Sequence, residues 1–351
     1  MLKKFTGPGL LRLALAEIVF VHHLSRFAIG SAAVYVFFCL SGFWVYRMYV
    51  GRYSATRWPY FTYIVSRAWR LLPVFWLVSI ITLLLLHFNG TLGLYSRASG
   101  EIHFILSNLT ILGYNSLRAQ PIVPAWSLDL EVQFYFLAPF VALLLLSRKI
   151  RPVWVLIASS ALAIASVLSG NRFPLASFLV FFVLGMTVAS LDWRPTAKLA
   201  FSCLAVAGLA LLCCLLSPWR GILLVGAHPG PLSIYTPHAN VVLAVWVVPY
   251  AIYTTGQKGF KLDGMFADLS YLIYLLHWDA AIVLASQPGS IMHRLLLATI
   301  AWVLVTVLSM AIWKFFDHPI NQMRSRWVSR RKRVTLEAKT ATGSANSRSY
   351  S

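Results

Sequence analysis

The sequence has little acid and little charge of any kind. Of 351 residues only 10 are Asp or Glu, against 30 Lys or Arg, and charged side chains total 11%. Soluble globular domains carry roughly 25% charged residues. Hydrophobic residues make up 59% and the mean hydropathy is +0.73. So few charges exclude a soluble enzyme, and so many apolar residues exclude a disordered chain. Lipid must solvate most of the surface. Cysteine is scarce too. Cys39, Cys203, Cys213 and Cys214 lie in apolar stretches and form no Cys-x-x-Cys pair. This argues against a disulfide framework or a cysteine metal site, so the four read as packing residues and no metal is expected.

The formal net charge of +20 admits two readings. In a soluble protein it would point to nucleic acid. In a membrane protein it points to orientation, because cytoplasmic loops collect Lys and Arg. Windows of span length decide between them. Ten occur, at about 10–29, 31–50, 69–88, 124–147, 152–169, 174–191, 198–217, 238–255, 267–286 and 294–315. With the N-terminus in the cytoplasm and the windows alternating, 23 basic residues fall inside and six outside, with Arg12 within the first window. The expected fold is therefore an all-α integral membrane protein of about ten transmembrane helices, N-in and C-in, with membrane lipid rather than nucleic acid as its surroundings.

Lys3 and Lys4 before an apolar run suggest a signal peptide, but Arg12 and Glu17 interrupt that run. A retained first span is the better reading. Residues 101–118 contain Asn108, Asn115 and Arg118, so an interfacial or re-entrant piece is expected there. The chain divides into a transmembrane domain, 1–318, and a basic tail, 319–351. The tail is poor in apolar residues and is expected to be disordered, with its run Arg330-Arg331-Lys332-Arg333 on anionic headgroups. No internal repeat is visible, which weighs against repeat-built transporters. Any chemistry is expected among the spans.

Ionisable side chains at bilayer depth are costly, so each is a candidate for function. The first span holds Arg12, Glu17, His22 and His23. Arg12 and His23 share a face about 16 Å apart along the helix. Read singly, these are a snorkelling Arg and a structural His; four such groups in one span favour function. In the second span Ser41 and Gly42 sit among aromatics, where close helix packing explains them better than a nucleophile. Arg67 and Arg70 point the same way at the cytoplasmic edge of the third span. They suit a phosphate-bearing ligand, or serve only as the positive-inside signal. The fourth span opens Trp126-Ser127-Leu128-Asp129-Leu130-Glu131, and Ser127, Glu131 and Tyr135 form one stripe. Counted from the outside, Glu131 and His23 both lie about 10 Å deep. The expectation is that they pair, with Glu131 tuning His23 as a general base. In the ninth span Ser270, Tyr274 and His277 share a face and are candidates for substrate contact or for supporting the base.

These blocks together resemble the membrane acyltransferase-3 family, which includes O-antigen and exopolysaccharide O-acetyltransferases. The Arg and His separated by ten residues are Arg12 and His23. The Phe-Phe-x-x-Ser-Gly-Phe block is Phe37 to Phe43, and the Arg-x-x-Arg pair is Arg67 and Arg70. The Trp-Ser-Leu-x-x-Glu-x-x-Phe-Tyr block is Trp126 to Tyr135, and the Ser-Tyr-x-x-Tyr-Leu-x-His block is Ser270 to His277. Asp317-His318-Pro319 stands where members often show Glu-x-Pro. Departures are Cys39 for the usual aliphatic residue and the absence of the hydrolase-like soluble domain of larger members.

The resemblance implies a ten-helix bundle at the bacterial inner membrane and a cytoplasmic acyl-CoA co-substrate, with no permanently bound cofactor. The acceptor it implies is a sugar hydroxyl of an extracytoplasmic or lipid-linked glycan, reached in contact with polysaccharide assembly machinery. In this reading His23 and Glu131 are catalytic. Arg12, Arg67 and Arg70 bind CoA. His22, Glu17, Ser127, Trp126, Tyr135, Ser270, Tyr274 and His277 contact substrate or support the catalytic pair. A succinyltransferase of the same family and a polytopic glycan-precursor transporter are the alternatives.

Overall fold

The computed structural model describes residues 6–147, 149–170, 173–225, 229–285, 287 and 290–332. Lys3, Lys4, Arg148, Arg172, Arg333 and the remainder of the expected tail lie outside them. The described residues are almost entirely helical: α1 (Pro8–Leu24), α2 (Gly30–Met48), α3 (Pro59–Phe88), α4 (Leu92–Ser99), α5 (Glu101–Thr110), α6 (Trp126–Leu146), α7 (Pro152–Leu168), α8 (Pro174–Ser190), α9 (Ala197–Leu216), α10 (Thr236–Thr255), α11 (Asp263–Ala285) and α12 (Ile291–Ile312). Proline opens α1, α3, α7 and α8, where its fixed φ suits the first turn and its missing N–H costs nothing.

Each of the ten expected windows falls on one of these helices. Seven helical stretches are long and apolar enough to cross a membrane, while α1, α7 and α8 have 17 residues each. Large apolar side chains cover the outside, among them Leu168 at 83% and Leu216 at 80% exposure. Such a surface is stable only in lipid.

Two close crossings set the core. Helices α2 and α8 meet at Gly42 and Gly185. A Cβ at Gly42 would stand 2.0 Å from the Phe182 carbonyl oxygen, and one at Gly185 1.9 Å from that of Cys39. No larger residue fits either place, and the small residues let the backbones touch. The expectation that Gly42 serves packing therefore holds. Of the cysteines, Cys39 and Cys203 are buried but Cys213 is exposed, which corrects its reading as a packing residue.

Helices α1 and α11 run parallel. The Asp263 carboxylate, at the start of α11, accepts from the backbone N–H groups of Gly9 at 3.1 Å and Leu10 at 3.0 Å. It thereby satisfies first-turn donors of α1 that have no partner within their own helix. The same offset of 254 residues that joins Gly9 to Asp263 also brings His23 beside His277.

Residues 101–118 form no span: α5 is followed by a buried irregular segment that runs to α6. Ile111, Tyr114, Ile122 and Ala125 are 0% exposed. Ile111 has φ 68°, a left-handed conformation that a β-branched residue adopts at a cost of about 1–3 kcal/mol. Buried backbone must be hydrogen-bonded, and side chains supply the partners here. Asp129 accepts from the N–H of Gly113 at 3.2 Å and of Asn115 at 2.8 Å. The Ile122 N–H donates to the Tyr114 hydroxyl at 2.8 Å, and Trp278 Nε1 donates to the Pro121 carbonyl at 2.8 Å. Helix α6 thus starts inside the bundle, not at its rim.

The beginning of the tail is ordered, which corrects the expectation of disorder from residue 319. A π-helical turn, Trp313–Asp317, follows α12, and the chain stays helical through Lys332. Val328 is 1% exposed, and Trp327 packs on Trp69 with ring centroids 5.9 Å apart. A few apolar anchors hold a segment whose average composition is polar.

Candidate active site

One cavity of about 320 Å³ lies between α1, α2, α3, α6 and α11. Its lining includes Arg12, Arg67, Arg70, Ser127, Glu131, Tyr135, Ser270 and Tyr274, which are eight of the residues expected from sequence. Helical spacing explains the convergence. Ser127, Glu131 and Tyr135 project from one side of α6, and Ser270 and Tyr274 from one side of α11.

Glu131 is the hub. Its Oε1 accepts from Ser41 Oγ at 2.6 Å and from the Tyr135 hydroxyl at 2.7 Å. Both bonds are charge-assisted and fix the carboxylate. Ser41 therefore belongs to the site, contrary to its reading as packing. Nearby, the Ser127 and Tyr274 hydroxyls lie 2.7 Å apart and each is 3.0 Å from the Pro124 carbonyl, so one donates to that carbonyl and the other to its partner hydroxyl.

The arginines are held in three different ways. Arg70 pairs with Asp268 at 2.9 Å and Asp317 at 3.6 Å. Arg67 is 8% exposed and lies over the rings of Tyr53, Tyr63 and Tyr135 at 6.0, 5.7 and 5.6 Å, with Nη2 2.9 Å from the Met48 sulfur. Such cation–π contacts hold a guanidinium without neutralising it. Arg12 has its Nε buried without a partner. A fourth arginine, Arg324, lines the same cavity from the segment expected to be disordered. Among the described residues, Arg12, Arg67 and Arg324 form no ion pair with a carboxylate.

The histidines lie elsewhere. The His23 ring centroid is 4.7 Å from that of His22, 5.2 Å from His277 and 5.2 Å from Trp278. The expected contact between His23 and Glu131 is not formed. The reason is depth. His22 sits against Gly30 at the start of α2, whereas the partner of Glu131, Ser41, lies eleven residues further along α2, about 16 Å by helical rise. The equal depths assumed α6 to begin at the membrane surface, and it begins deeper. Arg12, eleven residues before His23 on α1, is the level-mate of Glu131. His277 is 0% exposed; its Nδ1 donates to the Ile273 carbonyl at 3.0 Å, and its Nε2 has no partner. The Tyr274 ring, 6.1 Å from that of His277, links the cavity wall to the histidine group.

Besides His23 and His277, three expected residues stand apart from the cavity. Glu17 accepts from Trp302 Nε1 at 2.9 Å on the α12 side of α1. Trp126 packs with Phe38 and Phe178, at 6.2 and 5.5 Å. The His22 Nδ1 is 2.9 Å from the Phe27 carbonyl, and His22 borders a second cavity of about 410 Å³ with Ser25, Arg26, Ser233 and Thr236. Residues missed from sequence are Ser41, Asp268, Asp317 and Arg324. Asp317 opens the Asp317-His318-Pro319 stretch, and the polar composition around Arg324 hides it. At the C-terminal end of α2, Arg47 pairs with Asp192, and Arg47 with Arg194 holds that exposed carboxyl below its ordinary value of 3.8.

Residues 5–314 match the acyltransferase-3 family, described as an acyltransferase domain. The chain is 31% identical over 279 residues to the exopolysaccharide production protein ExoZ of Rhizobium meliloti (strain 1021), covering 75% of this chain and 80% of that one. No solved structure matches it. With most of its length inside that match and its helices clad in exposed apolar side chains, the chain belongs to the acyltransferase-3 family and is a multi-pass membrane acyltransferase related to a protein of exopolysaccharide production.

Proposed function

We propose that the protein moves an acyl group, taken as acetyl, from cytoplasmic acyl-CoA to a sugar hydroxyl of an extracytoplasmic or lipid-linked glycan at the bacterial inner membrane. The observation that carries this reading is the cavity in which Arg12, Arg67 and Arg324 gather without a carboxylate salt bridge. Uncompensated guanidinium groups around one space suit a ligand with phosphates. The positive-inside bias supports a cytoplasmic position for these arginines, the side on which acyl-CoA is found. His23 lies about 16 Å further along α1, a distance an extended pantetheine arm spans.

In this reading the nucleotide end stays among the arginines and the thioester reaches toward His23. His23 takes the proton of the sugar hydroxyl as the oxygen attacks the thioester carbonyl. The carbon–sulfur bond then breaks, and the proton passes to the departing CoA thiolate. The cavity beside His22 and Arg26 lies on the side from which the acceptor would come. Glu131 acts on the donor side, holding Ser41 and Tyr135 and facing Arg12, and His277 takes the place beside His23 that the sequence reading gave to Glu131.

The test is deletion of the gene followed by NMR of the cell-surface glycan. Loss of O-acyl signals, restored by the wild-type gene, is the expected result, and the chemical shifts separate acetyl from succinyl. Unchanged O-acyl content would sink the reading in favour of transport or a scaffold role.

A further inference from the structure

The family match ends at residue 314, but the helix does not. After the π-helical turn, the stretch from 318 to 332 runs across the cytoplasmic ends of α2 and α3. Arg52, just beyond α2, donates to the Ser325 carbonyl at 3.0 Å and to its hydroxyl at 3.2 Å. Trp327 packs on Trp69, and Arg331 lies 4.4 Å above the Trp327 ring and 5.5 Å from that of Phe61. These contacts fix the helix against the mouth of the cavity and direct Arg324 into its lining.

Arg324, like Arg12 and Arg67, has no carboxylate salt bridge among the described residues, and the Nε of each is buried without a partner. Arg70 has Asp268 and Asp317. Arg67 has its tyrosine rings, and Arg12 shares its level with Glu131. Arg324 has the Ser66 hydroxyl, which accepts from Nη1 at 3.4 Å, while its Nε is buried without a partner. Asp317, two turns earlier on the same helix, is taken by Arg70 and by Asn321 at 2.8 Å. Guanidinium groups crowded in a medium of low dielectric repel one another unless an anion joins them. A phosphate ester meets the need, since it offers several acceptor oxygens to a guanidinium fork.

We propose that Arg324 binds a phosphate group of the acyl-CoA, so that the helix beyond the matched domain supplies part of the donor site. This deepens the acyl-CoA reading and rests on it. The experiment is calorimetric titration of the full-length protein in lipid nanodiscs with CoA, 3′-dephospho-CoA and S-acetylpantetheine. Arg324→Ala weakens CoA binding by about 10- to 100-fold, the loss expected for one charge-assisted bond, and leaves S-acetylpantetheine binding within twofold. Arg324→Lys retains part of the affinity, which separates loss of charge from misfolding. A loss seen with CoA alone assigns Arg324 to the 3′-phosphate. A loss shared with 3′-dephospho-CoA assigns it to the diphosphate. Equal CoA affinity in wild type and Arg324→Ala overturns the proposal, as does an equal loss for S-acetylpantetheine. Wild-type protein that binds no CoA would overturn the acyl-CoA reading itself.

Discussion

The two ends of α1 show two ways of keeping polar groups inside a membrane protein. Around Arg12 the groups are ionic and the space between them is open. Four arginines and Glu131, Asp268 and Asp317 gather there, and only some are paired. Around His23 the groups are imidazole and indole rings packed on one another, with His277 fully buried. Leaving a guanidinium in low dielectric without a counter-charge is costly, and structure alone does not repay it. An imidazole with one nitrogen bonded to a carbonyl is tolerated there at far lower cost. The first arrangement fits holding an anion, and the second fits moving a proton. One helix carries both, so ligand and proton chemistry are separated by its length.

The largest expected effect tests that separation. His23→Ala should lower acyl transfer by about 10²–10⁴-fold, the contribution of a positioned general base, while CoA affinity in nanodiscs stays within twofold. If both fall together, the two ends are one site and the contrast between them fails.

How much of this was legible in the sequence depends on range. Hydropathy is a local property, and every window of span length falls on a helix. Stripes such as Ser127, Glu131 and Tyr135 follow from the helical repeat and lie together in the cavity. Relative depth is a different matter. The level of Glu131 depends on where α6 starts, and this is set by the buried segment 111–125, whose backbone is satisfied by Asp129, Tyr114 and Trp278. No hydropathy window reports such a segment, so from sequence Glu131 and His23 read as lying at one level. Ser41 reads as a packing residue from sequence because its partner lies 90 residues away. The helix carrying Arg324 is not legible in the sequence because Trp327 and Val328 are a small part of a polar stretch, yet they suffice to dock it.

A smaller effect concerns the ionic end alone. Arg70→Gln leaves the Asp268 and Asp317 carboxylates without their shared cation. Breaking such a pair costs about 3–5 kcal/mol when it is fully buried; here Arg70 and Asp268 keep some solvent access, at 18% and 25%, so the lower end or less is expected. The measurement is thermal unfolding in detergent. Adding Asp317→Asn should recover part of the loss, because one stranded carboxylate is removed. An unchanged midpoint in the single variant would mean that the charges are solvated and that the ionic end is no more demanding than the histidine end.

The smallest effect is expected where the two ends meet. The Tyr274 hydroxyl bonds to Ser127 and to the Pro124 carbonyl, and its ring reaches His277. Tyr274→Phe keeps the ring and removes the hydroxyl. Ser127 retains its own bond to the Pro124 carbonyl at 3.0 Å, so no buried donor is stranded. A net hydrogen bond of this kind is worth about 1 kcal/mol, or roughly fivefold in any equilibrium it serves. Transfer should therefore fall less than about tenfold, with CoA affinity little changed. The informative failure is a loss as large as that of His23→Ala in a protein that still binds CoA. The Tyr274 hydroxyl would then belong with His23 in the transfer step, and the boundary between the two ends would have to be drawn on the cavity side of α11.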